Sequence, residues 1–126
     1  MTKCFVFGSN EEGRHGAGAA LHAMIHEGAK WGIGFGHVGN SFAIPTKNGR
    51  LKTLKISAIK HYVGLFLAYA AITPDITYKV SRIGCGLAGY SDEEIAPLFV
   101  EATDNCLFDT EWKPYLPTHF IFWGTL

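Results

Sequence analysis

Charge is scarce in this chain: 17% of its 126 residues are Asp, Glu, Lys or Arg, against ~25% in ordinary globular proteins. Hydrophobic residues reach 48%. That balance excludes an intrinsically disordered chain, which is poor in apolar side chains and rich in charge of one sign. Cysteine is scarce too. Cys4, Cys85 and Cys106 are an odd number, and none shares a Cys-x-x-Cys spacing. A disulfide framework and a cysteine-rich zinc site are therefore not expected. Long hydrophobic runs are lacking. The most apolar stretch, Val63 to Ile72, falls well short of the ~20 residues of a membrane span. Met1 to Phe7 lacks the apolar core of a secretory leader. These absences point to a cytoplasmic, reducing setting without a membrane partner. The length predicts one domain over 1–126.

Glycine is in excess, at 15 residues, and it is clustered. Nine glycines lie from Gly8 to Gly39 and three from Gly84 to Gly89, with no Gly-X-Y period. Such clusters mark loops that bend tightly or approach a ligand closely. Charge sums to zero but is segregated. Between Gly28 and Pro74 there is no acid, against Lys30, Lys47, Arg50, Lys52, Lys55 and Lys60. The zero net charge argues against nucleic acid as a partner. The basic stretch itself fits either a solvated face or an anionic ligand.

Along the chain, Lys3–Phe7 reads as a strand ending in a Gly8-Ser9-Asn10 turn. Ala17–Ala29 has helical spacing and a glycine stop. Trp31–Asn40 reads as irregular, Ser41–Pro45 as a strand and Thr46–Arg50 as a turn. Ser57 is expected to cap a helix over Ala58–Ile72. Thr77–Ile83 is the third strand. Ser91-Asp92-Glu93-Glu94 has the form of a capping box and predicts a helix to about Thr103, bent or subdivided by Pro97. Asn105–Phe108 is a fourth strand, and the tail from Glu111 to Leu126 is expected to pack on the body. Strand and helix alternate. The fold class is therefore α/β, with a largely parallel or mixed central sheet between helices. Ligands of such sheets sit beyond the carboxyl ends of the strands. Both glycine clusters fall there, each leading into a helix, which is the local chemistry of a phosphate site.

Gly13-Arg14-His15-Gly16-Ala17-Gly18 has neither the G-x-G-x-x-G order nor a G-K-[ST] ending. His22 and His26 share one helix face, but no H-E-x-x-H or third ligand accompanies them, so no metal and no cofactor are expected. Cys85, beside a helix start, is expected to have a depressed thiol pKa. Asp92 is either a residue complementing the helix dipole or a proton-transfer group.

Four blocks carry a resemblance to a known family. They are Phe5–Asn10, Gly13–Ala20, Gly39–Lys47 and Ile83–Tyr90. In this order they resemble macro-like domains, above all small stand-alone proteins of bacteria and their phages. Ile83-Gly84-Cys85-Gly86-Leu87 also resembles the terminal ADP-ribose glycohydrolase branch. The resemblance implies a three-layer α/β/α fold with an ADP-ribose pocket. It implies Ser9 and Asn10 on the pocket floor and Gly16, Ala17 and Gly18 in a first ligand loop. A second loop would comprise Gly84, Gly86, Leu87, Ala88, Gly89 and Tyr90. Lys47 falls where that branch has its nucleophilic lysine. The branch places an aspartate where this chain has Ala88, and Asp92 is the nearest carboxylate. The implied ligand is ADP-ribose or an ADP-ribosylated substrate. Hydrolysis of an ADP-ribosyl bond, a non-catalytic module that sequesters or senses a nucleotide signal, and nucleic-acid association through the Lys47–Lys60 face stay open, as does the oligomeric state.

Overall fold

A computed structural model describes residues 2–126. The elements are β1 (Thr2–Asn10), α1 (Gly18–His26), β2 (Gly36–Val38), β3 (Ser41–Lys47), α2 (Ile56–Ala71), β4 (Ile76–Val80), α3 (Asp92–Ile95), β5 (Cys106–Asp109) and β6 (Phe122–Gly124). Single 3₁₀ segments cover Ala96–Phe99 and Thr110–Tyr115. One six-stranded sheet runs in the order β2-β3-β1-β4-β5-β6. Only the β2–β3 pair is antiparallel. Helices flank both faces, giving the three-layer α/β/α arrangement. Among the described residues no helix is long and apolar enough to cross a membrane.

The two faces follow from the period of two along β1. Cys4 and Val6 belong to the core under α2, with Ile59, Val63, Phe66 and Ala70. Phe5 and Phe7 point the other way, against Ala20 and Ala23 of α1. The larger core is aromatic. Phe66 packs on Phe99 and Tyr78, and Phe99 on Phe108 and Trp112. Each such ring contributes about 1.5–3 kcal/mol by leaving water.

Several sequence expectations shift. Gly8, Ser9 and Asn10 are not a turn but the end of β1, because Ser9 and Asn10 pair with Pro45 and Lys47 of β3. The stretch read as irregular holds β2, three residues paired to β3. Ser57 does not cap α2. Lys55 takes that place, since its carbonyl accepts the first helical bond from Ile59 at 3.2 Å. β4 ends at Val80, where Ser81 turns out of the ladder while still bonding Val6. The capping box forms as expected, with Ser91 and Glu94 bonding each other's backbone. The helix after it does not reach Thr103. It stops after one α turn and tightens to 3₁₀ around Pro97, which has no N–H to continue the ladder.

Candidate functional site

A cavity of about 790 Å³ opens at the carboxyl ends of β1, β3, β4 and β5. Its walls include Ser9, Asn10, Gly16, Ala17, Gly18, Lys47, Gly84, Gly86, Leu87 and Ala88. The two glycine loops, remote in sequence, thus meet at one site. Gly89, Tyr90 and Asp92 do not line it. Gly89 serves the loop's turn at φ 87°. Tyr90 lies half-buried, and its hydroxyl donates to the Leu54 carbonyl at 2.6 Å.

The first loop is built on buried groups. The Asn10 amide is spent on Arg14: Nδ2 donates to its carbonyl at 2.8 Å and Oδ1 accepts its N–H at 2.9 Å. His15 is fully buried. Its Nε2 lies 3.1 Å from the Ile33 carbonyl and its Nδ1 3.3 Å from Ser9 Oγ. A carbonyl can only accept, so Nε2 carries a hydrogen, while the Ser9 hydroxyl beside Nδ1 also lies 3.4 Å from the Asn10 carbonyl as a donor. Burial pushes the His15 pKa below its ordinary 6.5, which favours the uncharged ring. Gly13, at φ 68°, sits where a Cβ would collide with the backbone of Gly32 and Ile33, so the loop is seated on the 31–33 segment.

This loop delivers the start of α1 to the cavity. Ala17 stands at the N-cap with no side chain able to cap, and the first turn contains no acid. Leu21 N–H reaches the Ala17 carbonyl at 3.2 Å. The N–H groups of Gly18, Ala19 and Ala20 thus have no helical partner, and all three residues line the cavity. The positive end of the helix dipole faces the same space. An added Cβ at Gly16 meets nothing within 4 Å.

The second loop leaves β4 through Gly84, whose φ is 74° and where a Cβ would press 3.3 Å from Ile95 Cδ1. Tyr90 N–H closes it on the Gly84 carbonyl at 2.9 Å. Lys47 is half-buried at the end of β3. The ion pairs among the described residues are Arg14–Glu12, His22–Glu27 and Arg82–Asp92, so Lys47 faces the cavity outside any of them.

Asp92 is placed otherwise than proton chemistry at this cavity requires. Arg82 Nε and Nη2 donate to its two oxygens at 2.8 and 2.6 Å, and Trp112 Nε1 donates to Oδ1 at 2.8 Å. The Arg82 guanidinium holds the Asp92 carboxyl below its ordinary range. The Cys85 expectation reverses. Burial, and then the neighbouring Asp92 carboxylate, push its thiol up to about 12. Cys4 and Cys106 are buried, and all three cysteines are free.

Sequence reasoning missed Arg82, Trp31 and Leu51, which also line the cavity. Trp31 is 60% exposed and Leu51 49%. Leu51 has φ 61°, the one non-glycine residue with positive φ among those described. Arg82 was open to detection, since it directly precedes the Ile83–Tyr90 block. Trp31 and Leu51 carried no local signal. His22 and His26 bring their rings to 4.9 Å, but no cluster of three or more metal-ligating side chains occurs among the described residues.

No protein-family model, no curated protein and no solved structure matches this chain.

Proposed function

We propose that the cavity binds ADP-ribose or a related ADP-ribosyl nucleotide. The observation that carries this reading is the uncapped, acid-free start of α1, which opens on the cavity beside Lys47, Arg14 and Arg82. Open N–H groups, a helix dipole and cations together suit a diphosphate. The volume lies within the ~300–1,000 Å³ of small-molecule sites. Exposed Trp31 offers an aromatic face for a base. All four blocks that resemble macro-like domains contribute to the cavity wall, which supports the same reading. The three free cysteines fit a cytoplasmic setting.

A binding module is favoured over a hydrolase. Ala88 supplies no carboxylate beside Lys47, and Asp92 is committed to Arg82 and Trp112. The acid that does line the cavity, buried Asp109, accepts the Glu111 N–H and the Thr125 hydroxyl, each at 2.9 Å. Calorimetry with ADP-ribose, AMP and NAD, together with product analysis, tests this. ADP-ribose is expected to bind without turnover. Lys47→Ala is expected to weaken it by about 1–3 kcal/mol, the range of a charge-assisted hydrogen bond. Rapid, Lys47-dependent release of ADP-ribose from a modified carboxylate would make the protein an enzyme. Absence of any binding would remove the proposal.

A further inference from the structure

We infer that Arg82 is an anion-binding residue of the cavity, presented to it by a relay in which Trp112 holds Asp92 and Asp92 holds Arg82. Asp92 is thereby a positioning residue. The inference rests on the proposed function only for the identity of the anion. Three observations meet. Arg82 follows β4 directly and lines the cavity, with its side chain 38% exposed. Its backbone is anchored through Ser81, whose N–H bonds the Val6 carbonyl at 3.0 Å. Its head is anchored by the two bonds to Asp92.

A guanidinium has five N–H donors in a rigid fork. Asp92 takes two of them, and among the described residues no other side-chain bond of Arg82 is formed. The remaining three are unspent in a residue that lines the cavity. Asp92 in turn is fixed by Trp112, whose indole is fully buried against the rings of Phe99 and Phe108, at 5.4 and 6.2 Å. The relay therefore runs from the rigid core to the cavity wall. It also joins the two ends of the second glycine loop, Arg82 before it and Asp92 after it.

Pairing with Asp92 has two opposed effects on an incoming anion. It neutralises part of the Arg82 charge, and it removes the freedom of a long side chain. The pair is open to solvent, which screens the first effect. Arginine loses more rotamer freedom on ordering than most side chains, which enlarges the second. Positioning is therefore expected to win, and removing the Asp92 charge should weaken anion binding.

The test uses the full chain, with pyrophosphate and ADP-ribose as anionic probes and adenosine as an uncharged control. Arg82→Gln should weaken both anionic probes about tenfold or more while leaving adenosine within about twofold. Asp92→Asn, which keeps the shape, and Trp112→Phe, which keeps one aromatic ring but removes the indole N–H, should weaken them about three- to tenfold. Arg82→Lys should not restore binding, since an ammonium cannot grip Asp92 and the ligand as a fork does. Tighter anion binding in Asp92→Asn would make Asp92 a competitor and overturn the relay. Unchanged binding in Arg82→Gln would overturn the contact. If a variant fails to fold, the Arg82 Nε–H resonance of the unaltered protein decides: movement on titration with pyrophosphate or ADP-ribose supports the contact, and a still resonance removes it. Pyrophosphate binding through Arg82 without ADP-ribose binding would keep this inference and sink the proposed function. ADP-ribose binding indifferent to Arg82 would do the reverse, and binding of neither probe would end both.

Discussion

Between Asn10 and Gly18 the chain is held from beneath by buried, uncharged groups, whereas between Arg82 and Asp92 it is held by an ion pair facing solvent. The first loop rests on the neutral ring of His15 and the spent amide of Asn10. The second is closed by the Arg82 fork and by short backbone bonds. Both are glycine-rich and both reach the same cavity. Composition alone makes them look equivalent, but their restraints respond to different variables. A buried polar brace is costly to remove and sensitive to protonation. A solvent-facing pair contributes little to global stability, and its value lies in where it puts a side chain.

The largest effect should come from breaking the first brace. His15→Ala deletes a fully buried ring and removes the hydrogen-bond partner of the Ile33 carbonyl. Urea unfolding should show a loss of about 2–4 kcal/mol. The matching change in the second loop, Arg82→Ala, should cost no more than about 1 kcal/mol. Equal losses would erase the contrast.

Acid should sharpen it. The His15 pKa is depressed in the fold below 6.5, so the unfolded chain takes up this proton first. Stability present above about pH 6.5 is then lost as pH falls, at no more than about 1.4 kcal/mol per unit for one group. Asp92 is also depressed by its pairing, and its contribution disappears only in stronger acid, as pH falls through its folded value. Denaturant midpoints between pH 7.5 and 5.5 should therefore decline in the unaltered protein and stay flatter in His15→Gln.

Smaller again is a change to the cavity wall. A side chain at Gly86 meets open space and no positive φ is demanded. Gly86→Glu should fold with stability within about 0.5 kcal/mol and lose ADP-ribose, because a carboxylate then enters the anion site. Retained affinity in the folded variant would remove the second loop from the site.

One change should instead stabilise the fold. Leu51 holds φ 61° while exposed, in a region that costs a side-chain-bearing residue about 1–2 kcal/mol. Leu51→Gly relieves that strain but adds freedom to the unfolded chain. A net gain of about 0.5–1 kcal/mol in thermal or urea unfolding is expected. A loss would mean that the Leu51 side chain supports the fold.

Much of the scaffold was legible in the sequence, and the reasons are local. β1 and α2 have their periods in consecutive residues, and the Ser91–Glu94 box is a four-residue signal. The glycine clusters revealed the two loops because tight turns select glycine directly. β2 escaped because three residues give no measurable alternation, and glycines at 32, 34, 36 and 39 mask it. The extension of β1 through Asn10 depends on β3, some 35 residues away, which no turn signal at Gly8-Ser9-Asn10 could express. The site's polar logic was the least legible part. Asp92 owes its role to Arg82 and Trp112, at separations of 10 and 20 residues. Cys85 owes its raised pKa to burial and to Asp92. Such properties belong to the assembled neighbourhood, not to any window of sequence.

β1 comes first in the chain yet lies inside the sheet, with β3 on one side and β4 on the other. During synthesis its Cys4-Phe5-Val6-Phe7 run emerges with both hydrogen-bonding edges open. One edge closes only after Lys47 and the other only after Val80 has left the ribosome. At about 5–20 residues per second, the strand waits several seconds or more for its second neighbour. An apolar strand with open edges is a pairing template for other chains in that interval. Nascent chains arrested before β4 is complete should therefore be the aggregation-prone lengths of this protein, and the ones dependent on chaperones that cover extended apolar segments.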